Sequence, residues 1–160
     1  MQGFEAVAGW LDQSALHAWI QNTAWAVPTI QTAHILAIGI LFSGAVILAL
    51  RLFGGIGGSW PPARWSERLD RWSWGSLVLL LATGLLMIAG EPARSLLNPV
   101  FQVKMALLPV GIALSLGLAA WLRRGAAGGR EKALAVATVA VWIAMISAGR
   151  WIAYYAEAAG

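Results

Sequence analysis

Long apolar stretches separated by short polar segments set the pattern along this chain. A helix needs roughly 20 apolar residues to cross the hydrocarbon layer of a bilayer. The first run without formal charge covers residues 13–50, between Asp12 and Arg51, and is longer than one span requires. Pro28 divides it, because proline suits the first turn of a helix and disrupts an interior. The pattern therefore predicts a short helix over residues 10–22 and a first span over 28–50. In the short helix Leu16, Trp19 and Ile20 fall at i, i+3 and i+4, with Asp12, Gln13 and Gln21 among its polar positions. That amphipathic pattern suits a helix lying at the membrane surface or folded against the bundle. Three further spans are expected over residues 72–90, 100–122 and 133–154. Glu91-Pro-Ala-Arg94 and Asn98-Pro99 read as the turn between the second and third, since proline opposes continuation. The linkers over 51–71 and 123–132 contain glycine and proline clusters and read as turn material. The expected fold is all-α: one membrane domain over residues 1–160, a transmembrane four-helix bundle with an N-terminal amphipathic interfacial helix.

Composition supports the bilayer as solvent. The chain is 59% hydrophobic and 11% charged, against roughly 25% charged in soluble domains. A chain of 160 residues has too small a core to hide so much apolar surface from water. It has no cysteine, which excludes disulfides, thiolate metal sites and a cysteine nucleophile. The N-terminal Met-Gln-Gly-Phe-Glu lacks a basic leading region, so no cleaved signal is expected.

The net charge is +4, but the basic residues do not form one footprint, and no nucleic-acid partner is expected. They report orientation instead. The two linkers hold Arg51, Arg64, Arg68, Arg71, Arg123, Arg124, Arg130 and Lys132, whereas Arg94, Lys104 and Arg150 are on the other side. Loops rich in Lys and Arg stay cytoplasmic, so both termini are expected on the periplasmic side. Trp60, Trp65, Trp72, Trp74 and Trp121 would mark the inner interface, and Trp25 and Trp151 the outer one. Trp142 is mid-span and reads as a packing residue.

Four ionisable residues fall in or at the end of the apolar spans: His34, Glu91, Lys104 and Arg150. Each costs about 2.5–3.5 kcal/mol on insertion scales, so such groups are paired, snorkelling or functional. At 1.5 Å of rise per residue, His34, Lys104 and Arg150 lie roughly 6–9 Å below the outer ends of their helices. Glu91 lies at the outer end of the second span. All four are therefore expected in one outer layer. Gln31, one turn above His34, is a candidate hydrogen-bond partner for its ring, and Gly84 a source of space beneath Met87. Two cations against one carboxylate favour an anionic group. A buried charge network that only fixes helix packing is the competing reading.

The runs Pro28-Thr-Ile-Gln-Thr-Ala-His34, Thr83-Gly84, Ala89-Gly-Glu-Pro-Ala-Arg94 and Asn98-Pro-Val-Phe-Gln-Val-Lys104-Met resemble an uncharacterised bacterial family of small four-span membrane proteins, one of the domain-of-unknown-function families. The resemblance implies a bacterial inner-membrane location and no activity. A weaker likeness, at the level of fold alone, is to copper-resistance membrane proteins and b-type cytochromes.

Three functions compete at this point. A non-enzymatic membrane subunit would bind an anionic ligand, a lipid, a larger complex or a second copy of itself. A haem b carrier would use His34 as axial ligand, with His17, Met87, Met105 or the His34 of a paired protomer as the second. A copper(I) site would use His34, Met87 and Met105. His17 by itself reads as a solvated surface histidine. An enzyme is not expected, since there is no nucleophile–base constellation and no phosphate-binding glycine motif. A proton relay is poorly supported, because no ionisable residue marks the inner half of the spans.

Overall fold

The computed structural model of the chain describes residues 2–125 and 128–158. Among them are seven helices and no strand: α1 (Gln2–Asp12), α2 (Ala15–Asn22), α3 (Ala26–Leu52), α4 (Pro62–Gly90), α5 (Pro92–Leu96), α6 (Pro99–Arg123) and α7 (Gly129–Ala158). Four of them, α3, α4, α6 and α7, are long and apolar enough to cross a membrane, with mean hydropathies of 2.4, 1.8, 2.0 and 1.7 over their best windows. In lipid every backbone N–H and C=O must be satisfied within the segment, and a helix does this unaided. The fold is all-α, and the chain is a multi-pass helical membrane protein.

The helix boundaries follow local chemistry. The single short helix expected over 10–22 is two helices. Ser14 takes an extended conformation and its hydroxyl accepts from the His17 N–H at 3.1 Å, so it ends one helix and caps the next. The first span begins at Ala26, before Pro28, because proline's missing N–H is tolerated anywhere in the first turn. The second begins at Pro62, ten residues before the expected start at 72. Its first turns carry Arg64, Glu67, Arg68, Asp70 and Arg71, so hydropathy marks where the apolar part starts and not where the helix starts. The expected turn after Gly90 holds the short α5, with Pro92 at its first position. Asn98 caps α6 through its side chain, 2.9 Å from the Val100 N–H. Glu131 reaches back to the Gly128 N–H at 2.6 Å, half of a capping box at the start of α7.

The long helices form two antiparallel hairpins, α3–α4 and α6–α7. The hairpins meet along two seams, α3 against α7 and α4 against α6. Small residues allow close approach. A Cβ on Gly44 of α3 would lie 3.6 Å from Ser73 Oγ of α4, and one on Gly111 of α6 would lie 3.4 Å from Val141 of α7. A mid-level core joins Ala37, Leu41, Ala45, Leu80, Trp142 and Met145. Trp142 is buried there and donates to Ser115 Oγ at 3.2 Å. A second core, of Leu52, Leu118, Leu122 and Ala135, sits toward the 51–61 linker. At that end Arg51 donates to the Trp60 carbonyl at 2.9 and 2.6 Å, and Arg123 of α6 pairs with Asp70 of α4. At the opposite end α1 packs on α5, and α2 packs on α4 and α3.

Candidate functional site

Above the mid-level core the two hairpins part around a cavity of about 650 Å³ at the α2 end of the bundle. Leu80, Leu108 and Met145 form its floor, since they belong to that core and also line the cavity. Each wall contributes polar groups: Gln31 and His34 from α3, Lys104 from α6, Arg150 from α7, and Glu91, Arg94 and Ser95 around α5. The histidine, the lysine and both arginines thus border one space.

His34 is held by α4. Its Nδ1 lies 2.9 Å from Thr83 Oγ1, and that hydroxyl lies 2.7 Å from the Leu79 carbonyl. A carbonyl can only accept, so the single hydroxyl proton points to Leu79 and Thr83 accepts from His34 Nδ1–H. The ring is then the tautomer with a bare Nε2, and that atom is buried with no hydrogen-bond partner among the described residues. Gly84 lies alongside: a Cβ there would be 3.6 Å from His34 Cε1. Two expectations change. The ring's partner is Thr83 across the hairpin and not Gln31 on its own helix, where the side chain is exposed. The space left by Gly84 accommodates His34 as well as bordering the cavity beside Met87.

Lys104 is half-buried within α6. Gly149 of α7 makes room for it, since a Cβ there would lie 3.5 Å from Lys104 Nζ. Among the described residues no carboxylate lies within ion-pair distance of Lys104 or Arg150. Glu91, the one acidic candidate, instead pairs at 2.7 Å with Arg94, three residues along, on an exposed surface. A neighbour on the same turn reaches it without crossing the bundle. Arg150 is exposed at the rim, where it donates to the Tyr154 hydroxyl at 2.8 Å.

His17 stands apart from the cavity lining. Its Nδ1 donates to the Ala89 carbonyl at 3.0 Å, so the ring joins α2 to α4 instead of sitting opposite His34. Met87 and Met105 both border the cavity. Among the described residues no three His, Cys, Asp or Glu side chains are grouped to hold a metal ion. Sequence reasoning missed Thr83, Gly149 and Ile20 as parts of this site. A threonine beside a glycine in an apolar span was the available signal for the first.

The chain belongs to the Family of unknown function (DUF6644), whose model matches residues 9–155. No curated protein and no solved structure matches it.

Proposed function

We propose that this member of a family of unknown function is a non-enzymatic inner-membrane protein that binds a molecule carrying an acidic group in the cavity between its hairpins. The observation that carries the reading is Lys104: an ammonium within an apolar span, facing a cavity, with no carboxylate beside it among the described residues. An uncompensated cation at that depth is costly, and an anionic ligand would supply the missing counter-charge. Arg150 at the rim adds a second positive group. The apolar lining, with Ile38, Leu108 and Met145, suits a ligand whose remainder is hydrocarbon. The Lys and Arg bias of the two linkers supports placing this end, with both termini, on the periplasmic side.

Native mass spectrometry of protein released gently from its own membrane tests the reading. A bound acidic small molecule is expected on the unaltered chain and absent from Lys104→Gln. Equal occupancy of the two, or none on either, would remove the case.

One observation favours a second reading. Nδ1 donation to Thr83 leaves His34 Nε2 bare and unpartnered, the arrangement of a histidine that ligates iron while its other nitrogen is held by the protein. Lys104 and Arg150 would then pair with the propionates of a haem b. A Soret band that disappears in His34→Ala would establish this reading. Its absence after haem supplementation would reject it.

A further inference from the structure

Helix α2 covers the cavity on one side. It lies across the end of α4, where His17 donates to the Ala89 carbonyl at 3.0 Å and Gln21 donates to the Gly90 carbonyl at 2.5 Å. These carbonyls belong to the last turn of α4 and have no partner within their own helix, so α2 supplies what the helix end lacks. Between the two polar contacts Ile20 is buried to 1% exposure and borders the cavity. It sits so close to α4 that a Cβ on Gly90 would be 3.1 Å from its Cγ2. On that side the cavity is shut by a fitted side chain and two hydrogen bonds, while the exposed Gln31, Arg94 and Arg150 border it elsewhere.

The sides are different. Leu85 of α4 and Met105 of α6 line the cavity, yet are 68% and 37% exposed. They form an open rim where α4 meets α6. In a bilayer that rim faces acyl chains. The floor is closed by the mid-level core, so a hydrocarbon chain whose head lies at Lys104 leaves sideways. The exposed Ile35 and Ile146 border the cavity on the α3 and α7 side too, but α4 and α6 are the less closely packed pair.

We infer that the ligand is a membrane lipid with an acidic headgroup, which reaches Lys104 from the bilayer through the α4–α6 seam and leaves its acyl chain there. This rests on the proposed acid-binding cavity and adds the ligand class and its route. A water-soluble acid reaches the charged rim but leaves the apolar lining unfilled, whereas a lipid fills that lining with its acyl chain, entering past Leu85 and Met105.

The absence of cysteine allows a direct test. Ile20→Cys with Gly90→Cys introduces one disulfide that fastens α2 to α4. The bridged and unaltered chains are delipidated and rebuilt into phosphatidylcholine nanodiscs. They are then titrated with oleate, with dioleoylphosphatidylglycerol, and separately with butyrate and inorganic phosphate, reading bound probe by native mass spectrometry. The two lipids are expected to bind bridged and unbridged protein within twofold of each other. They should bind at least tenfold more weakly to Lys104→Gln, and to Leu85→Trp, which fills the seam from an exposed position and tests the route independently of the bridge. Butyrate and phosphate should bind at least tenfold more weakly than either lipid. Loss of lipid binding on bridging would put the route under α2 and overturn the inference. Tight Lys104-dependent binding of butyrate or phosphate would overturn the lipid class while leaving an acid-binding cavity. Failure of every probe to show Lys104 dependence would overturn both.

Discussion

Replacing Thr83 with valine removes the partner of His34 with little change of shape, and its effect can be worked from the hydrogen bonds around it. The threonine is 5% exposed. Its hydroxyl accepts from His34 Nδ1–H at 2.9 Å and donates to the Leu79 carbonyl at 2.7 Å. That carbonyl keeps its helical N–H, so it loses little. The ring nitrogen loses its one partner. A buried donor left unpaired costs about 1–3 kcal/mol, while hydrogen bonds between membrane helices average about 0.6 kcal/mol and reach about 1.7. The lower membrane values arise because the unfolded chain in lipid also finds partners. The two ranges overlap between about 1 and 1.7 kcal/mol, so Thr83→Val should destabilise the bundle by about 1 kcal/mol. Unfolding by SDS in mixed micelles, followed by far-ultraviolet circular dichroism, measures it. A cycle with His34→Phe and the double variant isolates the pair. A coupling energy below about 0.5 kcal/mol, the error of additivity for independent sites, would refute the hydrogen bond. So would ring-nitrogen NMR placing the proton on Nε2 in the unaltered protein.

Gly57 has a φ of +63°, and a Cβ on it would meet the Trp65 ring at 2.6 Å. Gly57→Ala should therefore lower stability by about 2 kcal/mol, from left-handed strain and the clash together, read in the same SDS titration. Gly90→Val should push Ile20 off α4. Amides of α2 would then exchange faster by mass-spectrometric hydrogen exchange, while those in the middle of α3 and α6 hold their protection. Arg123→Ala should cost less than about 1 kcal/mol, because its pair with Asp70 is largely exposed and screened. A larger loss would mean that this contact ties α4 to α6 more firmly than an open ion pair can.

The four spans were legible in the one-dimensional pattern, because hydrocarbon admits so few backbone solutions. Long apolar stretches at residues 28–50, 72–90, 100–122 and 133–154 locate α3, α4, α6 and α7 without any knowledge of their neighbours. The limits of the helices were less legible. Hydropathy says where lipid begins, whereas a helix continues into the polar region until a cap stops it. Hence α4 reaches back to Pro62 through a charged stretch, and Ser14 cuts one expected helix into two.

An expected height along the bundle follows from the chain alone, since each residue of helix adds a constant rise. That is why His34, Lys104 and Arg150 could be expected at a similar depth. The side chain each one meets could not be read this way. It depends on the rotation of each helix about its axis and on which helices adjoin, and both are settled by packing across the bundle. Only the folded chain gives His34 to Thr83 instead of Gln31, and the space beside Gly149 to Lys104. The seat of Ile20 against Gly90 likewise joins positions seventy residues apart, a contact that no local pattern encodes.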